Sequence, residues 1–180
     1  MKKYYFLLVA ALAVFAVACD NDEKTDDSKQ KNFITYGSET ANINVGPCGS
    51  MSENHVLGQG VEGYHFDSDF TIKDIESHIF LNIAAACKGK KVNLATFNEN
   101  FPYSFEINSS AEANYPYDIH QYCTEYGGGE LAHSSVGTWF KSGTMELKDD
   151  GKTLSLDVDA TLQDGRAFKM NITTASVKFE

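Results

Sequence analysis

The sequence predicts an all-β fold, and three observations predict it. Near the C-terminus, Leu154, Leu156, Val158, Ala160 and Leu162 alternate with Ser155, Asp157, Asp159, Thr161 and Gln163. That period of two marks a strand with one buried and one wet face. Asp150-Gly151 and Asp164-Gly165 then punctuate alternating runs, and Asp-Gly is a strong hairpin signal because both central residues of a type I′ turn need positive φ. Finally, no segment sustains a helical period. The expected arrangement is an antiparallel two-sheet β-sandwich or an open, lipocalin-like barrel, and the pattern alone does not choose between them.

The chain begins outside that domain. Lys2 and Lys3 precede an unbroken apolar run from Tyr4 to Val17, and Ala18-Cys19 closes it. This is the layout of a secretory signal over residues 1–18, too short and wrongly flanked for a spanning helix. Residues 20–31, DNDEKTDDSKQK, contain no apolar side chain and read as a flexible acidic tether after Cys19. Such a coil spans roughly 20 Å root-mean-square. A single β domain is expected over residues 33–180.

Within it, Thr40 to Val45 alternates, and Gly46-Pro47-Cys48-Gly49 reads as the turn that ends the strand. Residues 50–63 are polar and glycine-rich and read as a loop. Gly63 to Ile72 is the next strand. From Ser77 to Ala86, Ile79, Leu81, Ile83 and Ala85 face one way and His78, Phe80, Asn82 and Ala84 the other. Both faces are largely apolar at the middle, which suggests a central strand covered on both sides. Lys88-Gly89-Lys90-Lys91 is a turn, and Val92-Asn93-Leu94 resumes the extended chain. Phe101 to Ile107 is a short strand whose Pro102 points to an edge or bulge. Residues 108–135 break the rhythm with a long segment rich in Tyr and Gly. Thr138 to Leu147, the two alternating runs described above, and a last strand through Ala175, Val177 and Phe179 complete the chain.

Charge narrows the partners. The chain carries 15 basic and 25 acidic residues, a net charge of −10. Loss of Lys2 and Lys3 with the signal takes this to about −12. An acidic chain repels phosphate backbones, so no nucleic acid is expected as a partner. Docking through a basic patch on anionic lipid is disfavoured for the same reason.

Ala16-Val17-Ala18-Cys19 resembles the lipobox of bacterial lipoproteins, although that family more often has Leu where Val17 or Phe15 stands. The resemblance implies acylation of Cys19, cleavage before it, and a bilayer as partner. Two or more acyl chains give stable anchoring where one is marginal. Asp20, Asp22 and Glu23 look like the surface-export signal of Bacteroidetes-type lipoproteins. The stretches Ala86 to Leu94, Ser142 to Leu147 and Asp159 to Gly165 also resemble segments of the uncharacterised all-β surface lipoproteins of that group. These are turn-and-strand signatures, so they imply fold and an outer-membrane, cell-surface address, with no catalytic residues to carry over.

Chemistry-bearing motifs are sparse. Asp67-Ser68-Asp69 starts like a calcium loop, but Ile72 and His78 occupy the positions that need Gly and a bidentate Glu. Asp67, Asp69 and Asp74 read better as solvated strand-end acids. His120-x-x-Cys123, with His133 or His65, lacks the second ligand pair of structural zinc, and no metal or other cofactor is expected. There is no nucleophile elbow, and nothing fixes the separation of Asp118, Glu125 and Glu130, so no enzyme activity is expected. Once Cys19 is assigned to lipid, Cys48, Cys87 and Cys123 leave room for one disulfide in an exported chain, with three pairings open. Tyr115, Tyr117, Tyr122, Tyr126 and Trp139 are the candidate ligand-binding residues, because aromatic rings give a large contact area at low entropic cost. The competing reading is that they pack onto the domain and hold the long segment down. The expected function is non-catalytic binding of a glycan or protein ligand. The alternatives are a structural, adhesin or pilus-like subunit, or a hydrolase inhibitor.

Overall fold

The structure is a computed structural model and describes residues 31–96, 98–109, 119–123 and 139–180. The folded unit runs from Lys31 to Glu180. The described residues form eleven strands: β1 (Phe33–Tyr36), β2 (Glu39–Met51), β3 (Gly63–Ile72), β4 (Ile75–Ala84), β5 (Lys91–Asn93), β6 (Tyr103–Ser109), β7 (Ile119–Cys123), β8 (Phe140–Asp149), β9 (Thr153–Leu162), β10 (Ala167–Ala175) and β11 (Lys178–Phe179). The order across the sheet is β5-β8-β9-β10-β1-β2-β3-β4-β6-β7. All of these pairings are antiparallel, and β11 adds to β2 in parallel.

The chain is therefore all-β, as expected, and its strands form one strongly curled antiparallel sheet, a half-barrel, where the sequence leaves both a two-sheet sandwich and an open, lipocalin-like barrel open. The reason is β2. It is 13 residues long, and its first part, Glu39 to Asn42, pairs with β1. From Ile43 onward it pairs with β3, with a register shift between Val45 and Cys48. Gly46-Pro47 thus makes a β-bulge, not the expected strand-ending turn, and a bulge bends and twists its strand. The ladder passes through the corner without a break.

Curling brings the inner faces of the two limbs together. Phe105 on β6 meets Phe140 on β8 edge-on at 5.3 Å between ring centroids, and Phe168 on β10 at 5.8 Å. Tyr36 reaches Phe168 at 5.0 Å. Edge-to-face pairs at these distances add about 0.5–1.5 kcal/mol each beyond burial. The alternating Leu154 to Leu162 side chains point into this core, as the sequence predicts. A part-buried polar tie also crosses the limbs: the Tyr64 hydroxyl on β3 donates to Asp149 Oδ2 on β8 at 3.0 Å. Burial and the bond to Asp149 push the Tyr64 phenol up to about 12. Asp149 is raised by its own burial. The Ser176, Gly151 and Tyr64 donors outweigh that and hold its carboxyl below the usual range.

The Asp-Gly hairpins form between β8 and β9 and between β9 and β10, yet neither is type I′. Only Gly151 (φ 82) and Gly165 (φ 88) have positive φ there. The aspartates act through their side chains: Asp150 Oδ1 accepts from Lys152 N at 2.8 Å and Thr153 N at 2.7 Å, and Asp164 Oδ1 from Arg166 N at 2.9 Å. A two-residue turn with two positive φ values appears instead at Lys73 (φ 51) and Asp74 (φ 65), between β3 and β4. Pro102 lies just before β6, an interior strand, and not at an edge; its carbonyl accepts from Ala84 N at 3.0 Å.

Cys48 and Cys87 are both buried and are not joined to each other. Cys48 lies on β2 opposite Phe66, whereas Cys87 lies beyond the end of β4, with β3 between the two strands. That separation exceeds disulfide reach, since strands lie roughly 4.8 Å apart. Burial raises the Cys48 thiol, whose Sγ lies 3.8 Å from Ser68 Oγ. Cys123 is on β7, and its side chain lies outside the described residues.

Candidate functional site

The signal, the tether to Gln30 and Cys19 lie outside the described residues, as do Tyr115, Tyr117, Tyr126, Asp118, Glu125, Glu130 and His133. Tyr122 is on β7, opposite Ser104 in the register, without a described side chain. Trp139 is half-buried and packs against the core. Among the described residues, the chemistry gathers elsewhere, on the outer face of the β2-β3-β4-β6 limb.

Alternation builds that face. On β4, Ile79, Leu81 and Ile83 point into the core, which turns His78, Phe80 and Asn82 outward. On β3, Phe66, Ser68 and Phe70 are buried, which turns His65, Asp67 and Asp69 outward. On β6, Tyr103, Phe105 and Ile107 are buried, so Ser104, Glu106 and Asn108 share the outer face. The register then sets these residues side by side. His65 pairs with Asn82, Asp67 with Phe80, and Asp69 with His78 across β3 and β4. Across β4 and β6, His78 pairs with Asn108, Phe80 with Glu106, and Asn82 with Ser104.

At the centre, Phe80 stands between two imidazoles. His65 meets it edge-on at 4.6 Å, and His78 lies nearly parallel at 6.3 Å. Both ring nitrogens of His78 face carboxylates: Nδ1 is 2.8 Å from Asp69 Oδ1 and Nε2 is 3.3 Å from Asp67 Oδ1. Asn108 Nδ2 donates to Glu106 Oε1 at 2.9 Å. The chain thus holds an aromatic strip, half-exposed at Phe80, in a frame of amides and carboxylates.

At one end of this face lies a groove of about 830 Å³, lined among others by Asn42, Asn44, Asp69, Glu76, His78 and Asn108. This is within the usual size of a small-molecule site. At the other end is a buried polar cluster. Asn82 Oδ1 accepts from Asn54 Nδ2 at 2.9 Å and from His65 Nδ1 at 3.2 Å. Among the described residues, Asn82 Nδ2 and the hydroxyl of its cross-strand neighbour Ser104 have no partner, although the two residues are only 2% and 1% exposed. Unpaired buried donors are costly, and each calls for a reason.

Asp74 sits apart in the β3–β4 turn. Among the described residues no group of three or more His, Cys, Asp or Glu is placed to hold a metal ion. No described helix is long and apolar enough to cross a membrane. Comparison with family models, curated proteins and solved structures finds no match for this chain.

Sequence reasoning passed over this face. Its signal was present: H-x-D-x-D on residues 65–69 and H-x-F-x-N on residues 78–82 are both period-two polar and aromatic patterns. Only the antiparallel register between them, set by the turn at Lys73-Asp74, turns two patterns into one surface.

Proposed function

We propose that this chain is an outer-membrane, cell-surface lipoprotein, held to the bilayer through acylated Cys19, whose β domain binds glycans without catalysis. The anchoring half of the reading rests on the Lys2-Lys3, Tyr4–Val17 and Cys19 pattern. The binding half rests on one observation, the outward Phe80 ring framed by His65, His78, Asp67, Glu106 and Asn108. Sugar rings present apolar C–H faces and a rim of hydroxyls. An aromatic face suits the first, and amides and carboxylates suit the second. The sheet fixes the spacing of these groups before any ligand arrives, which lowers the entropic cost of binding.

A subunit assembling through edge strands is less well supported. The β5 edge has only three residues, and Lys88, Lys90 and Lys91 crowd it, which blunts strand addition. The deciding experiment is a glycan array probed with the purified chain and with Phe80→Ala. Binding that disappears in the variant supports the reading. An array on which the wild-type chain binds nothing sinks the glycan half.

A further inference from the structure

The charge and polarity of this face specify the class of glycan. Along β4 from Glu76 to Asn82 the strip runs about 20 Å at ~3.3 Å per residue, room for several sugar rings. Its outward ionisable side chains are acidic or imidazole: Asp67, Asp69, Glu76, Glu106, His65 and His78. Among the described residues, no Lys or Arg lines the groove. Asp67 and Asp69 are held by His78, and Glu106 accepts from Asn108, so these carboxylates stay fixed on the face. At the far end the face closes over: Asn82 and Ser104 are buried there, so the open part of the strip runs from Glu76 to Phe80.

Resting on the glycan-binding reading, we infer that the outer face of β3, β4 and β6 binds a neutral oligosaccharide, with Phe80 under a ring face and the Asn108 amide and the flanking carboxylates on its hydroxyls. A carboxylated, sulfated or phosphorylated sugar would set its charge against Asp69 and Glu76 in the groove and against Asp67 and Glu106 beside Phe80, with no described guanidinium or ammonium lining the groove to receive it, and like charges at this range repel. A neutral chain loses nothing to that field. Its hydroxyls donate to the carboxylates.

The test is titration calorimetry of the full chain with neutral oligosaccharides and with their sialylated, sulfated or uronate-bearing counterparts, at about 50 and about 500 mM salt. The expected result is binding of neutral ligands only, with an affinity that changes less than twofold with salt. Phe80→Ala and Asn108→Ala should each weaken it at least tenfold. Both variants are checked by circular dichroism for an unchanged unfolding midpoint, and Asn108→Ala, at a half-exposed site, covers the case in which Phe80→Ala does not fold. Binding of anionic glycans in preference to neutral ones overturns this inference and leaves the glycan-binding reading standing. Neutral binding that survives both Phe80→Ala and Asn108→Ala overturns the placement of the site. Absence of any glycan binding overturns the function and the inference together.

Discussion

Gly143→Ala tests the curled ladder at a point where nothing can give. Gly143 has φ +130 and pairs with Ala160 between β8 and β9. A Cβ added there would lie 2.4 Å from Ala160 Cα, 2.4 Å from its Cβ and 2.6 Å from the Asp159 carbonyl oxygen. All three are backbone or backbone-fixed atoms, so no side chain can swing aside. The φ alone costs of order 1–3 kcal/mol for a residue with a Cβ. Separating β8 from β9 adds an overpacking cost of about 1–3 kcal/mol. The expected loss is roughly 3–5 kcal/mol, a large part of the roughly 5–15 kcal/mol that holds a typical domain. Gly151→Ala is the control. It also has positive φ, 82, but a Cβ there meets nothing within 4 Å. It should lose only about 1 kcal/mol. Urea denaturation reads both. With slopes of about 1–3 kcal/mol per molar, Gly143→Ala should move the midpoint about 1 M or more below that of Gly151→Ala. Equal midpoints for the two variants would refute the Gly143–Ala160 register and the close approach built on it.

Cys19→Ala should leave the chain unlipidated and released from membranes, and a variant that still sediments with them after a high-salt wash would contradict the lipoprotein reading. Stability should fall as the pH drops through the depressed Asp149 carboxyl, because protonation costs the folded state its bonds from Ser176, Gly151 and Tyr64. Asp149→Asn should flatten the acid limb of a stability–pH curve below about pH 4. On the alkaline side Tyr64, raised to about 12, contributes stability that is fully present below about pH 10 and is lost as pH rises through 12; Tyr64→Phe should remove that loss, as read by denaturation at each pH. Changing two of Tyr115, Tyr117, Tyr122 and Tyr126 to Ala should drop the unfolding free energy by roughly 3 kcal/mol each if they pack, and an unmoved denaturation midpoint with lost ligand binding would make them part of the binding face instead.

The β9–β10 hairpin and β3 were legible because one face of each is wet, so hydrophobicity itself reports the period. The alternation from Leu154 to Leu162 needs no tertiary information to be read as a strand. Gly46-Pro47 was misleading for a physical reason. The same residues that stop a strand also build a bulge, and the outcome depends on whether a partner strand waits beyond. Here β3 pairs with Cys48 to Met51 and carries the strand through. The turn at Lys73-Asp74 was invisible because Lys rarely adopts positive φ. It forms because Ile72 and Ile75 pair directly and leave only two residues to reverse the chain. The Lys73 ammonium, 2.7 Å from Glu39, adds little at an exposed site.

The outer face of β4 shows why the site could be assembled only in three dimensions. Read alone, Phe80 among His78, Asn82 and apolar neighbours suggests a strand covered on both sides. A second layer over that face would bury the ring and have to desolvate Asp67, Asp69 and Glu106, at several kcal/mol for each carboxylate left without a compensating partner. Half-burial between two imidazoles leaves Phe80 most of its packing and leaves the acids their water. The Asn82–Ser104 end is different, because there burial is complete and the cost of unused donors is already present in the fold. Ser104→Ala reads that cost directly. It removes a buried hydroxyl that has no partner among the described residues, so urea denaturation should show a slight gain in stability, with glycan affinity unchanged because the side chain is closed off from the surface. A loss of stability would refute the reading that this hydroxyl is unpaired.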